Sequence, residues 1–266
     1  MAAGGALIAI EGARKLFRSR SGESLEAIAE VSLAIASQEF ICVVGPSGCG
    51  KSTLLRLIAG LETLSSGAIR IGGDEVAGPR RDIGLVFQTP VLLPWRTVLK
   101  NVLVPAEVLK LERRSALRRA HGLLELVGLH GFGERYPNEL SGGMRQRVAI
   151  ARSLMHDPSI LLMDEPFGAL DALTREAMNL ELLRIWRASA KTVVLVTHSI
   201  EEALLLSDRV AVFTPRPGRI RDVVDVPLPR PRSAKTRTDA VFVRLADKLR
   251  GYFELDAVPN GQASAA

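Results

Sequence analysis

The stretch FICVVGPSGCGKSTLLRLIAGL, residues 40–61, constrains the fold of this 266-residue chain more than any other. Phe40 to Val44 form a continuous apolar run that reads as a strand buried on both faces, and STLLRLIAGL from Ser52 reads as a helix. Between them, GPSGCGKST satisfies the pattern G-x-x-x-x-G-K-[ST] in the strand-to-helix setting that gives the pattern its meaning. Gly45, Gly48 and Gly50 admit backbone conformations in which successive N–H groups face one concavity, with Pro46, Ser47 and Cys49 between them. The helix N-terminus adds partial positive charge. Lys51 reaches for nucleotide phosphates, Ser52 offers a hydroxyl to Mg²⁺, and Thr53 completes the loop.

Four further apolar runs, at 83–87, 160–163, 193–197 and 210–213, are also continuous rather than alternating, as strands covered by helices on both faces should be. Helical patterns separate several of them. In TREAMNLELLRIWRAS, Leu180, Leu183 and Trp186 recur at a three-residue step. The expectation is an α/β fold with a mostly parallel sheet. Between Gln88 and Ser141 the strand signal vanishes, and a helix over 113–127 predicts an inserted helical subdomain at roughly 89–157. ALIAIEGA and VSLAIA predict a small N-terminal antiparallel sheet. PLPRPR at 227–232 reads as an extended linker into a helix at 239–249, and NGQASAA as a disordered end. The expected division is one domain over 1–226, then a linker and short helical extension over 227–266.

A triphosphate site needs a second magnesium contact, and SILLMDEP supplies one: its apolar run delivers Asp164 to a strand's carboxyl end, where α/β sheets bind ligands. Glu165 follows at once and is the better general base for activating water. Gln88 and His198 also end apolar runs, which places both on the same edge. LSGGMRQR, 140–147, is a second glycine-rich helix start and a second anion site by chemistry, with Met144, Val148, Ala151 and Met155 as its buried stripe.

Composition excludes several classes. The chain is 47% hydrophobic and 24% charged, ordinary for a soluble globular protein, and no apolar run approaches the ~18–20 residues a membrane helix needs. MAAGGALIAI lacks a basic leader, so a cytosolic location is expected. Cys42 and Cys49 are too few for a disulfide framework or zinc site and read as reduced packing residues. The net charge is +6, and residues 209–250 hold 11 Lys/Arg against 4 Asp/Glu. Such a tail suits anionic headgroups or a plain solvated surface. From Arg216 to Arg237 no aromatic residue is interleaved to stack bases, so no nucleic-acid partner is expected.

In chain order, the phosphate loop at 45–53, Gln88, LSGGMRQR, the strand ending at Asp164–Glu165, GALD at 168–171 and His198 closely resemble the nucleotide-binding subunits of ABC transporters, over roughly residues 7–222. The resemblance implies a RecA-like phosphate-loop core that binds ATP and Mg²⁺ and works as a homodimer. Ser141, Gly142 and Gly143 would then contact the γ-phosphate held by the partner, and Asp171 would lie in the loop joining the halves. Gln88 would sense the γ-phosphate, join the magnesium shell with Ser52 and Asp164, and couple to the membrane. His198 would act as the switch, and Phe17 would stack on adenine. Met144 stands where the family often has Gln, and GALD replaces the commoner SALD; neither change removes a phosphate donor.

LLPW within 92–95, TPRPGRI at 214–220 and PLPRPR resemble the importer group for nitrate, sulfonate, taurine and bicarbonate. The apolar stretch TPVLLPW after Gln88 would border the groove that receives a membrane subunit. The implied partners are two transmembrane permease subunits and, indirectly, a periplasmic or lipoprotein solute-binding protein. The implied location is the cytoplasmic face of the cell membrane. Rival readings are a soluble ABC ATPase of DNA repair or translation, a monomeric phosphate-loop kinase or GTPase, and a binding-only module. The first lacks the long coiled-coil insertion or second cassette it usually carries, the second has no use for LSGGMRQR, and the third does not need Glu165 and His198.

Overall fold

The computed structural model describes residues 6–18, 23–168, 170–189 and 191–257. The chain opens with two long strands, β1 (Ala6–Arg18) and β2 (Ser24–Ala36), paired antiparallel, and continues into β3 (Phe40–Val44) and helix α1 (Lys51–Ile58). β4 (Ser66–Ile71) and β5 (Asp74–Glu75) extend the first pair into a four-stranded antiparallel sheet of order β2-β1-β4-β5. β6 (Ile83–Val86) leads into three helices, α2 (Val98–Val108), α3 (Arg113–Leu126) and α4 (Gly142–Leu154). Then come β7 (Ile160–Asp164), α5 (Ala172–Ser189), β8 (Thr192–Thr197), α6 (Ile200–Leu206), β9 (Arg209–Phe213), β10 (Ile220–Asp225) and α7 (Ala240–Ala257).

The second sheet has the order β10-β9-β3-β8-β7-β6. Its four inner pairings from β9 to β6 run parallel, and β10 closes one edge antiparallel. Alternate residues on each parallel strand serve two different cores. Phe40, Cys42, Val44, Leu161, Met163, Val193, Leu195, Val210 and Val212 face the helices α2 to α7. Ile41, Val43, Ile160, Leu162, Val194, Val196, Ala211 and Phe213 face α1 and the antiparallel sheet. Both faces are dry, so the strands carry unbroken apolar runs. Cys42 and Cys49 are buried free thiols, and burial pushes both above the usual thiol range.

Asn101, fully buried in α2, explains how the 93–97 loop is held. Its Oδ1 accepts from Leu93 N at 2.8 Å, and its Nδ2 donates to the carbonyls of Leu93, Arg96 and Thr97 at 3.1, 2.9 and 3.0 Å. Leu92 packs on the core, whereas Trp95 stands 72% exposed and Val91 56% exposed.

PLPRPR is extended, but it does not behave as a free linker. Arg232 is 6% exposed and donates to the carbonyls of Leu204, Leu205 and Ser207 at 3.0, 3.2 and 2.6 Å, which caps the end of α6. It also reaches Val226 O and Leu228 O at 3.2 and 3.1 Å. Burial is the main reason its guanidinium pKa falls to about 10. Arg230 pairs with Asp208 at 2.7 Å and lies 4.2 Å from the Trp186 ring centroid. Beyond this strap, α7 buries Phe242, Ala246 and Leu249 against the helical core. Much of the basic excess is answered within the chain: Arg209 meets Glu39, Arg237 meets Glu176 and Lys248 meets Asp222. NGQASAA lies outside the described residues.

Arg232→Ala should strip donors from five buried carbonyls and lower stability by about 3 kcal/mol in urea unfolding. Arg232→Lys should recover less than half of the loss, because an ammonium cannot fork between carbonyls on two segments. An unchanged midpoint in Arg232→Ala would remove the strap from the fold's support.

Candidate active site

Parallel pairing places the carboxyl ends of β9, β3, β8, β7 and β6 along one edge, and a chemically active residue follows each. After β3 the phosphate loop wraps into α1. Gly50 caps that helix in the left-handed region at φ 107°, where a Cβ would meet Ala27 O at 2.6 Å, so only glycine fits. Lys51 is 5% exposed, and its Nζ donates to Gly45 O and Pro46 O at 2.8 and 2.9 Å. The ammonium is thereby fixed inside the loop's curve.

After β7, Asp164 Oδ1 accepts from Ser52 Oγ at 2.9 Å. This contact joins two residues far apart in sequence and sets two hard oxygen donors side by side. Burial raises the Asp164 pKa, with the Ser52 bond and the Lys51 and Arg56 charges acting against it. A desolvated carboxylate beside a hydroxyl fits a magnesium ion that takes its remaining ligands from phosphate and water. Among the described residues no cluster of three His, Cys, Asp or Glu forms an all-protein cage.

Glu165 adopts φ 42°, which costs a non-glycine residue about 1–3 kcal/mol and needs support from its surroundings. That support is visible: Glu165 N donates to Val196 O at 2.9 Å, and Gly168 N donates to Glu165 O at 3.1 Å. The bend points the carboxylate along the edge, where Oε2 lies 3.1 Å from His198 Nδ1 after β8. Gln88, two residues after β6, is exposed, and a Cβ built on Gly168 would lie 3.7 Å from its Nε2 and 3.6 Å from Glu165 Oε2. Gln88, Glu165 and His198 are thus gathered at one place.

A cleft of about 370 Å³ runs along this edge, lined by Ser47, Gly48, Gly50, Lys51, Ser52 and Thr53 of the phosphate loop, with Gln88 and Glu165. Phe17 of β1 borders it with Leu25 and Ala27 of β2. One face of the Phe17 ring is occupied by the Lys15 ammonium, 4.8 Å from its centroid. Ser141, Gly142, Gly143 and Asp171 do not line this cleft. Ser141 Oγ caps α4 by accepting from Met144 N at 3.3 Å, and Asp171 Oδ1 accepts from Thr174 N at 3.0 Å. The two segments adjoin: a Cβ on Gly143 would approach Thr174 Cγ2 to 3.1 Å, so this glycine also serves the close passage of α4 and α5. Beside them Leu173 is 81% exposed.

Two features escaped the sequence reading. Beneath His198, buried Glu202 accepts from Thr197 Oγ1, while Arg175 donates to the carbonyls of Phe167, Gly168 and Leu170 at 3.2, 3.4 and 2.9 Å. No spacing rule marks that cluster, since it joins three elements. Arg216, in the loop after β9, also lines the cleft. The strand-end logic applied to Gln88 and His198 extends to it, because VAVF ends at Phe213.

Burial raises the Glu202 carboxyl pKa. The folded protein therefore binds this proton more tightly than the unfolded chain, and stability falls as pH rises from the ordinary carboxyl pKa towards the raised one. Glu202→Gln keeps the acceptor for Thr197 without the charge. It should be more stable than the parent chain at pH 8, by about 1 kcal/mol in thermal unfolding, with the gain gone near pH 4.

Comparison with known proteins agrees with this geometry. A family model described as "ABC transporter" matches residues 28–168. A taurine import ATP-binding protein of Rhizobium johnstonii is 46% identical over 250 residues, 92% of this chain and 95% of that protein. An aliphatic sulfonates import ATP-binding protein of Bacillus licheniformis is 47% identical over 225 residues, covering 85% and 86%. Among solved structures, a dimeric ATP-binding cassette in a post-hydrolysis state, bound to ADP and Pi, matches with a TM-score of 0.72 at 33% identity over 82% of this chain and 98% of that one. With phosphate loop, strand-end Asp-Glu pair and His198 on one sheet edge, the chain belongs to the ABC transporter family as an ATP-binding subunit.

Proposed function

We propose that this chain is the ATP-hydrolysing subunit of an importer for small anionic solutes of the taurine, sulfonate and nitrate kind. The observation that carries the reading is the Ser52–Asp164 contact, which ties the phosphate loop to the strand bearing Glu165, with His198 3.1 Å from that carboxylate. The loop N–H groups and Lys51 bind the triphosphate. Ser52 and Asp164, with Gln88 on the same cleft, would hold Mg²⁺, which would supply charge neutralisation for the phosphates. Glu165 orients a water and accepts its proton as the water oxygen bonds to the γ-phosphorus and the bond to the β-bridging oxygen breaks, giving ADP and phosphate. His198, held against Glu165, steadies the γ-phosphate, and Phe17 offers a platform for adenine.

A single copy presents Ser141, Gly142, Gly143 and Asp171 away from its own cleft. The reading therefore pairs two copies, the α4 N-terminus of each facing the other's triphosphate. Exposed Trp95 and Val91, next to Gln88, form the apolar surface offered to a permease subunit. Two permeases and a solute-binding protein outside the membrane complete the assembly, with this subunit at the cytoplasmic face. Relatives named for import favour this over a role in DNA repair or translation.

Glu165→Gln should bind ATP, accumulate as an ATP-dependent dimer and lose at least about 100-fold in steady-state ATPase. Near-parental turnover would sink the general-base role. Mixing Ser141→Arg with Lys51→Ala subunits should regenerate one intact composite site and restore part of the activity; continued inactivity of the mixture would argue against pairing in trans.

A further inference from the structure

The loop after β9, TPRPG at 214–218, is bolted to the phosphate loop. Gly218 N donates to Ala27 O at 3.1 Å, and Ala29 N donates to Gly218 O at 3.0 Å, which fixes the loop to β2. A Cβ on Gly218 would lie 2.1 Å from Cys49 O, so backbone meets backbone there and glycine is required. Thr214 N donates to Arg219 O at 3.0 Å and closes the loop's base. Arg216 stands at the tip. Its Nε and Nη2 donate to Gly48 O at 3.0 and 2.8 Å, and it lines the same cleft as Lys51 and Phe17.

A guanidinium has five N–H donors, and a single carbonyl uses only one edge of the fork. Among the described residues no carboxylate pairs with Arg216. Its positive field reaches inside the loop, where it opposes the rise of the Cys49 thiol pKa. Lys51 is the other cation lining the cleft, and two of its donors are committed to Gly45 O and Pro46 O. Glu165 lines the same cleft, and Asp164 adjoins it through the 2.9 Å bond from Ser52 Oγ.

We propose that Arg216 is a second cationic contact for the nucleotide's phosphates, clamped to the Gly48 carbonyl so that its remaining N–H groups serve the polyphosphate. The proposal rests on the reading of this cleft as an ATP site and adds a residue outside the phosphate loop to it. ATP and ADP share this contact, because Arg216 is tied to Gly48 of the phosphate loop and not to Glu165.

The test is equilibrium titration of the full chain with mant-ATP and mant-ADP, with unlabelled tripolyphosphate as competitor, for the parent and for Arg216→Lys, Arg216→Gln and Lys51→Ala. Arg216→Gln keeps a donor for Gly48 O but no charge; Arg216→Lys keeps the charge but not the fork. The expected result is that Arg216→Gln weakens both nucleotides and tripolyphosphate about tenfold, the size of one charge-assisted bond. Arg216→Lys should stay within about threefold of the parent. Parental affinity in Arg216→Gln would overturn the proposal and leave Arg216 as a loop clamp. A loss for the nucleotides but not for tripolyphosphate would overturn it in favour of a base or ribose contact. Equal binding by the parent and Lys51→Ala would overturn the ATP-site reading itself, a failure distinct from either.

Discussion

Everything chemical in this chain depends on the register of five parallel strands. Val44 pairs with Thr197 and Val212, Asp164 with Val196, and Val86 with Met163, so the strands end nearly level. A slip of one residue between β7 and β8 would exchange the faces of Leu162 and Met163 and carry Asp164 about 3.3 Å along the strand. The Ser52–Asp164 bond of 2.9 Å would not survive it. Two dry faces specify the register, because each strand sends alternate residues into a different core. The apolar runs that look uninformative as alternation are what align the active residues.

The edge also explains which local costs the fold accepts. Glu165 holds φ 42° directly after a strand, braced by the Val196 carbonyl and by Gly168. Gly50 and Gly218 admit backbone contacts that any Cβ would block. Each of these positions brings a donor or carboxylate closer to one cleft, and each lies at the mouth of a strand rather than within it. The helical insert contributes otherwise: α4 presents Ser141 and Gly142 at an exposed N-terminus beside Asp171 and Leu173. In the proposed pairing of two copies, that surface is half of a site.

Much of this was legible in the sequence. Phe40–Val44 and the run ending at Thr197 begin or end within a residue of the observed strands, because buried parallel strands are bounded by charged or turn-forming residues. The predicted helix over 113–127 ends one residue earlier, at Leu126, with Glu112 capping its start by accepting from Arg114 N and Ser115 N. What escaped reading depends on contacts between distant segments. The edge strand β10 alternates weakly, and PLPRPR has linker composition, yet Arg232 answers carbonyls at the end of α6. Glu202 carries no signal in its own segment, because Thr197 and Arg175 come beside it only in the fold. Arg216 lay in a motif that marked kinship without showing what the arginine touches.

The central claim is that one copy holds only half of each catalytic site. Its most direct measurement is the ATPase rate per subunit of the purified chain across a wide range of subunit concentration at saturating ATP and magnesium. The account predicts specific activity that rises with concentration, so that total rate climbs with about the second power of subunit concentration before levelling as dimers saturate. Specific activity that stays constant down to the lowest concentration, with a monomer shown by sedimentation under the same conditions, would contradict it.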